Sequence, residues 1–185
     1  MMSRKLTGGL IVGLAFVVGV NACGSPTGTG GTDTSVSPDR LAELETQLQA
    51  KPSLEAAQTE YLAPVRSMAD GIAALTPGAT WRLEENTWVG CGGEYTQTKA
   101  KQAYVMAVFS GPIADAVWPQ AVQIVRDGAA QAGAKELGTF KDNPGDHDIY
   151  IAGSDGVEFR LGTQKASTLT AKSDCRLSQT DAAPS

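Results

Sequence analysis

Hydrophobic residues recur at helical spacing in three parts of the chain. The first part begins at Ser37-Pro38, where a serine able to cap a helix precedes a proline that suits the first helical turn. The leucines that follow share one face of a short helix, namely Leu41, Leu44 and Leu48. This helix should end before Pro52, because proline disfavours helical backbone in the residue before it.

A second and longer helix is predicted from the capping residue Ser53 to the sequence Thr76-Pro77-Gly78. Its apolar face keeps the helical period throughout and comprises Leu54, Ala57, Tyr61, Leu62, Val65, Met68, Ala69, Ile72 and Leu75. Pro64 lies inside this pattern and predicts a kink or an irregular first turn, because proline cannot donate a backbone hydrogen bond.

A third helix and a set of strands complete the pattern. The helix is predicted over residues 118–132, with Pro119 in its first turn and Gly133 as its C-terminal cap. Strands are predicted at residues 80–83, 104–109, 137–141, 148–152, 157–162 and 166–173. Turn sequences at 143–146 and 154–156 separate the later strands, which should therefore pair antiparallel. The expected fold is α+β: an antiparallel sheet of about five to six strands with two principal helices packed on one face, preceded by a short helix.

Residues 1–22 have the pattern of a secretory signal peptide. Arg4 and Lys5 precede an uncharged and mostly apolar run that ends at Val20. A transmembrane anchor is less favoured, because spanning a bilayer requires about 20 apolar residues. The run is followed by Asn21-Ala22-Cys23, and with Val20 this resembles the lipobox of bacterial lipoproteins. We therefore expect cleavage before Cys23 and a diacylglyceryl group on its thiol, whose two acyl chains hold the protein stably at the membrane.

The rest of the chain divides into a tether, one domain and a tail. Residues 23–37 comprise the lipidated cysteine and a segment rich in Gly, Thr and Ser, which predicts a flexible tether. A single globular domain is expected over residues 38–177, and a disordered tail over residues 178–185. The protein should be a monomer, lipid-anchored on the exported side of the cell membrane. The net charge of −5 argues against a nucleic-acid partner, because binding phosphates requires a basic surface.

Two cysteines remain once Cys23 carries lipid. Cys91 and Cys175 belong to an exported domain, where thiols encounter an oxidising compartment. A disulfide between them would close a loop of about 85 residues and stabilise the fold by about 4 kcal/mol. The alternative is a reactive thiol, for which only His147 could serve as the base. One His and three Cys are too few for a closed zinc or iron–sulfur site, so no metal or other cofactor is expected.

The sequence contains one histidine, His147, and histidine is the residue type whose unperturbed pKa lies near neutrality. It stands between Asp146 and Asp148, but neighbours along a strand point to opposite faces, so neither carboxylate need contact the ring. We expect an exposed histidine; the alternative is a hydrolase that uses His147 with Asp148.

The acidic loop from Asp142 does not fit a calcium-binding loop, because Pro144 occupies a ligand position.

Four further side chains are candidates for ligand contact. Trp88 lies in a predicted loop near Cys91, where it either packs against the disulfide or is exposed to bind a glycan or lipid. Trp81 alternates with Leu83 and is expected in the core. A cleft between the long helix and the sheet could hold a lipid or small apolar molecule, with Tyr61, Met68 and Ile72 as lining residues.

A family resemblance extends over nearly the whole domain. The sequence features that carry it are Pro77-Gly78-Ala79-Thr80-Trp81, Cys91, Ile124-Val125-Arg126, Gly156-Val157-Glu158-Phe159-Arg160-Leu161 and Asp174-Cys175. Their order and spacing, together with the lipobox, resemble the LppA/LppV-like lipoproteins of mycobacteria. The resemblance implies a cell-envelope lipoprotein with its two domain cysteines paired, and it implies no activity.

Three functional hypotheses follow. The first is an envelope lipoprotein that is not an enzyme, whose domain is a binding or structural module for a protein or lipid partner that the sequence does not identify. The second is carriage of a lipid or small apolar ligand between helix and sheet. The third is the His147/Asp148 hydrolase.

Overall fold

A computed structural model describes residues 36–182 of the chain. The helices are α1 (Pro38–Gln49), α2 (Leu54–Ala74), α3 (Trp118–Gln131) and α4 (Gln179–Ala182). The strands are β1 (Trp81–Gly90), β2 (Lys101–Phe109), β3 (Glu136–Asn143), β4 (Asp146–Ala152), β5 (Glu158–Thr163) and β6 (Ser167–Lys172). All six form one antiparallel sheet in the order β1-β2-β6-β5-β4-β3. The predicted α+β fold is confirmed, with α2 and α3 packed on one face.

Serine caps define where the two N-terminal helices begin. The Ser37 hydroxyl accepts a hydrogen bond from the Arg40 amide at 3.3 Å, and the Ser53 hydroxyl accepts one from the Ala56 amide at 3.3 Å. Each bond satisfies an amide that has no partner within the helix. Pro64 lies within α2, which continues through it over its full length to Ala74.

The core lies between the sheet and helices α2 and α3. Alternate residues of the central strands point into it and are fully buried, among them Val105, Ala107, Phe159, Leu161, Leu169 and Ala171. Helices α2 and α3 approach closely because Gly128 has no side chain: a Cβ atom there would overlap the Met68 thioether. Burial of each large aliphatic or aromatic side chain stabilises the fold by about 1.5–3 kcal/mol.

Strand β1 is longer than the sequence pattern predicts. It extends to Gly90 and so includes residues 86–89, which we expected to form a loop. The strand is at the edge of the sheet, and most of its side chains after Leu83 are exposed. Backbone pairing with β2, with a register shift between Leu83 and Glu85, holds this segment. Hydrophobic alternation therefore gives no signal here.

Cys91 and Cys175 are joined in a disulfide that connects residues 84 positions apart. Their Cα atoms are 6.0 Å apart, within the usual range for a bridged pair. Both cysteines are buried in a small cluster with Leu48 of α1, Ala100 and Leu177. The bridge thus ties the segment after β1 to the segment after β6.

The C-terminal segment differs from the disordered tail predicted over residues 178–185. Residues 179–182 form α4, and the Gln179 amide donates to the Glu55 carboxylate at 3.2 Å. Two residues earlier, the Leu177 carbonyl accepts a hydrogen bond from the Leu54 amide at 2.8 Å. These contacts place the segment at the start of α2, and residues 183–185 lie outside the described part of the chain.

The predicted signal peptide, Cys23 and the tether up to residue 35 also lie outside the described residues. Within residues 36–182, no helix combines the length and the apolar character needed to cross a membrane.

Candidate functional site

His147 is buried at the helix-covered face of the sheet, with 7% of its surface exposed. It lies on β4 with the same orientation as Ile149 and Ile151, and its ring stacks on Trp118 at the start of α3, with 4.9 Å between ring centroids. The expectation of an exposed histidine is therefore wrong. The reason is that Trp118, far away in the sequence, covers the ring.

Both ring nitrogens of His147 face carboxylates. Nδ1 is 2.9 Å from Asp142 Oδ1, and Nε2 is 3.0 Å from Asp115 Oδ1. Because ionised carboxylates only accept hydrogen bonds, this arrangement is fully satisfied when both nitrogens carry a proton. The same Asp115 oxygen also accepts from the Gly145 amide at 2.9 Å. The Gly145 amide and then His147 hold the pKa of Asp115 below its usual value.

This cluster connects three segments of the chain. Asp115 belongs to the connection between β2 and α3, Asp142 to β3, and His147 to β4. Neither ring nitrogen is free to accept a proton from a nucleophile, as a general base would have to do. The geometry therefore holds the β2–α3 connection against the β3–β4 hairpin.

Asp148 does not contact His147. It points to the opposite face of the sheet, where its carboxylate forms an ion pair with the Arg160 guanidinium, Nε lying 2.7 Å from Oδ1. The pairing of His147 with Asp148 that the hydrolase hypothesis requires is therefore not formed. Among the described residues, no cluster of three His, Cys, Asp or Glu side chains is arranged to bind a metal ion.

The sheet face away from α2 and α3 presents partly exposed polar side chains. Lys172 pairs with Glu158 at 3.3 Å, and Arg160 pairs with Asp148. A shallow groove of about 270 Å³ runs between these pairs and is also lined by Tyr104, Met106, Gly162, Thr168 and Thr170. Its charges are mutually paired, so the groove has no unpaired charge directed toward a ligand.

Trp88 is 49% exposed on edge strand β1. The Lys101 ammonium lies over its ring, 3.6 Å from the centroid, in the geometry of a cation–π contact. Trp88 is absent from the cluster around the disulfide, so the expectation that it packs there is not met. The other two tryptophans are more enclosed: Trp118 is buried, and Trp81 donates its indole N–H to Asp70 at 2.7 Å.

The three residues proposed to line a ligand cleft lie in the core. Tyr61, Met68 and Ile72 are each at most 3% exposed. The Tyr61 ring stacks on Phe159 of β5, with 5.8 Å between centroids, and burial raises the Tyr61 pKa to about 12. These side chains fill the space between α2 and the sheet. Only Met68 also reaches a surface groove, of about 250 Å³, between α2 and α3.

An ion cluster near the disulfide was not predicted from the sequence. Lys51 Nζ lies 2.9 Å from Asp155 and 3.1 Å from Asp174, and Asp174 also accepts from Arg176 at 2.8 Å. Burial alone would lower the pKa of Lys51, but its bonds to Asp155 and Asp174 outweigh burial and raise it. The cluster joins residues that are more than a hundred positions apart, which no local pattern reveals.

A family comparison covers most of the chain. The model of the LppA family, described as a lipoprotein confined to pathogenic Mycobacterium, matches residues 29–179. Two proteins of Mycobacterium tuberculosis that carry the lipoprotein names LppA and LppB are each 28% identical to this chain. The LppA alignment covers 80% of this chain and 71% of that protein, and the LppB alignment covers 82% and 74%.

Solved structures share the fold. The crystal structure of LppA from Mycobacterium tuberculosis matches with a TM-score of 0.70 and 26% identity, over 80% of this chain and 91% of that chain. A DUF4853 family protein from Actinomyces odontolyticus matches with a TM-score of 0.51 and 16% identity, over 70% of this chain and 72% of that chain. The second likeness concerns the fold alone.

Proposed function

Because the chain belongs to the LppA family of lipoproteins, we propose that it is anchored through diacylglyceryl-modified Cys23 and that its domain acts by binding. The domain would stand on the exported side of the cell membrane. Support for the anchor comes from the lipobox Val20-Asn21-Ala22-Cys23, which follows a charged and then apolar N-terminus. Two acyl chains are sufficient for stable membrane residence.

The contacts of His147 are the observation that supports a binding role for the domain rather than a catalytic one. Its ring nitrogens are bonded to Asp142 and Asp115, and its face lies against Trp118. A histidine used as a catalytic base would need one nitrogen directed at a nucleophile. We therefore assign His147 a structural role.

The anchor is tested by replacing Cys23 with Ala and comparing cell fractions. We expect Cys23→Ala to accumulate as an unprocessed or secreted form that no longer fractionates with the membrane. Ser25→Ala, two residues away, is the matched control and should behave like the wild type. Recovery of Cys23→Ala in the membrane at the mature mass would contradict the anchor.

The binding role is tested by extracting the wild-type lipoprotein from its own membrane and analysing it by native mass spectrometry. A reproducible complex with one protein or ligand is the expected result. A hydrolytic activity of the purified protein that His147→Gln abolishes, while the variant stays folded, would contradict the non-catalytic assignment.

A further inference from the structure

Helix α1 is attached to both of the segments that the disulfide joins. Near its start, Arg40 donates two hydrogen bonds to the Glu94 carboxylate, at 2.9 and 2.8 Å. Just after its end, Lys51 pairs with Asp174 at 3.1 Å and with Asp155 of the β4–β5 connection at 2.9 Å. Glu94 follows the first cysteine of the bridge by three residues, and Asp174 directly precedes the second. The bridge therefore helps to fix Glu94 and Asp174 relative to one another.

The last turns of α1 pack against the disulfide itself. Leu48 is 1% exposed and belongs to the same buried cluster as Cys91 and Cys175, which are 9% and 3% exposed. Ala100 and Leu177 also belong to this cluster. A disulfide is broken by a thiolate that reaches one of its sulfur atoms. In its docked position, α1 therefore restricts the access of thiols to this bond.

The main core does not include α1. The cluster between the sheet and helices α2 and α3 contains no residue of α1 and neither cysteine of the bridge. The ion pair of Arg40 with Glu94 is partly exposed to solvent, and such pairs contribute little to stability. Proteins open in local units that require less free energy than global unfolding. The packing thus divides the described residues into a core and a smaller unit of α1 and the disulfide cluster.

We propose that α1 is a redox-sensitive strap, which docks while Cys91 and Cys175 are bonded and is released when a dithiol reduces the bond. The sheet, α2 and α3 stay folded. Without the bond, the segments after β1 and β6 can separate, so Leu48 loses its packing site and α1 loses the fixed spacing of its ionic partners. Coupling between two equilibria is reciprocal, so undocking of α1 must in turn favour reduction. The inference depends neither on the acyl anchor nor on the binding role proposed above.

The reduction itself is a pair of thiol–disulfide exchanges. One thiolate of the dithiol attacks a sulfur atom of the bridge, forms a mixed disulfide with that cysteine and displaces the other cysteine as a thiolate. The second thiol of the reagent, once deprotonated, attacks the reagent sulfur of the mixed disulfide and displaces the remaining cysteine. The reagent becomes a cyclic disulfide, and its two electrons and two protons convert the bridge into two cysteine thiols. The first attack is the step that docked α1 restricts.

The first test is amide hydrogen exchange of the purified lipoprotein before and after reduction with dithiothreitol. An isolated helix of 12 residues is marginal in water, so released α1 should exchange nearly as fast as an unstructured peptide. We expect this in the reduced protein, with the amides of β2 and β5 still exchanging at least about a hundredfold more slowly. Reduced protein in which α1 stays as protected as β2 would overturn the proposal. Loss of protection in α1 and β2 together would overturn it as well.

A variant without the bridge separates the effect of the bond from that of the reagent. Cys91→Ala combined with Cys175→Ala should show unprotected α1 amides and protected β2 and β5 amides in the absence of any reductant. Wild type treated with oxidised dithiothreitol is the control and should keep α1 protected. Protection of α1 in the double variant equal to that in the oxidised wild type would overturn the proposal.

The second test measures how fast dithiothreitol reduces the bridge, from the mass added by alkylation of the new thiols. Leu48→Ala removes buried contacts of α1, and we expect reduction at least about tenfold faster than in the wild type. Val105→Ala weakens the main core instead and should leave the rate within about twofold, because reduction through α1 does not require the core to open. Equal rates for Leu48→Ala and wild type would overturn the proposal. Equal acceleration by both variants would also overturn it, because the bond would then be reached by global unfolding.

Discussion

A single residue, Asp115, links the β2–α3 connection to the turn of the β3–β4 hairpin. One carboxylate oxygen accepts from both the Gly145 amide and His147. These bonds favour the ionised form, and the pKa of Asp115 in the folded protein is below its ordinary value of 3.8. A carboxyl with a depressed folded pKa contributes stability above its unfolded pKa and loses it as the pH falls through the folded pKa.

This gives a prediction for acid unfolding. Below about pH 4, the wild type should lose stability more steeply than Asp115→Asn, because the variant lacks the group whose protonation breaks the contact. The measurement is the free energy of urea unfolding at a series of pH values from neutral to strongly acidic. Asp127→Asn, on the surface of α3, is the control and should retain the wild-type slope. Parallel curves for wild type and Asp115→Asn would contradict the assignment.

Removal of the imidazole should be costly at neutral pH. His147→Ala leaves the face of Trp118 and the carboxylate of Asp142 without their partner, and we expect a loss of about 1–3 kcal/mol in unfolding free energy. Glu136→Gln, at an exposed position of the neighbouring strand β3, should change it by less than about 0.5 kcal/mol. The measurement is the unfolding free energy of both variants from chemical denaturation at neutral pH. An equal loss in the two variants would be inconsistent with a structural role of His147.

Residue-scale features were the least accessible to sequence analysis. The alternation along a strand correctly indicates that Asp146 and Asp148 do not contact the His147 ring. Of the three side chains that contact it, Asp142 lies five positions earlier across the β3–β4 hairpin, whereas Asp115 and Trp118 come from a segment about thirty positions earlier. The packing of α3 against β4 brings Asp115 and Trp118 to the ring, so the sequence around His147 does not predict these two contacts.

At the scale of the element, helices follow from the sequence more closely than edge strands. The starts of α1 and α2 were predicted because Ser37 and Ser53 supply the caps locally. The central strand β2 was predicted from a continuous apolar run, and β5 from the alternation of apolar and charged residues over 157–161. The second half of β1 was missed because an edge strand is held by backbone pairing on one side, which places little constraint on its side chains.

The cap of α2 provides a prediction at this scale. Ser53→Ala removes the acceptor for the Ala56 amide, and we expect a loss of about 0.5–2 kcal/mol in unfolding free energy. Ser67→Ala, further along the same helix, should be within about 0.5 kcal/mol of the wild type. Denaturation midpoints of the two variants provide the comparison, and equal midpoints would show that the cap is not a significant stabilising interaction.

At the scale of the whole molecule, the disulfide was predictable and the charges around it were not. Assigning Cys23 to lipid left a single pair of cysteines, so the sequence alone indicated the bridge. The ion cluster forms because folding brings Lys51, between α1 and α2, next to Asp155, Asp174 and Arg176, which follow it by more than a hundred positions. The fold class and the family were likewise predictable, whereas the burial of His147 was not.

Loss of the bridge should destabilise the entire domain. Replacing both cysteines, Cys91→Ala with Cys175→Ala, avoids a free thiol and removes a link that closes 84 positions of chain. The chain-entropy model gives a loss of about 4 kcal/mol. Calorimetry should therefore show a melting temperature lower by several degrees or more. An unchanged melting temperature would contradict a stabilising bridge.

The proposed attachment of the domain to the membrane through an acylated Cys23 can be read from the mass of the N-terminal peptide. The protein is extracted from its native membrane and digested, and its first peptide is sequenced. We expect a peptide that begins at Cys23 and carries a diacylglyceryl thioether. A first peptide that begins elsewhere, or that carries Cys23 as an unmodified thiol, would contradict it.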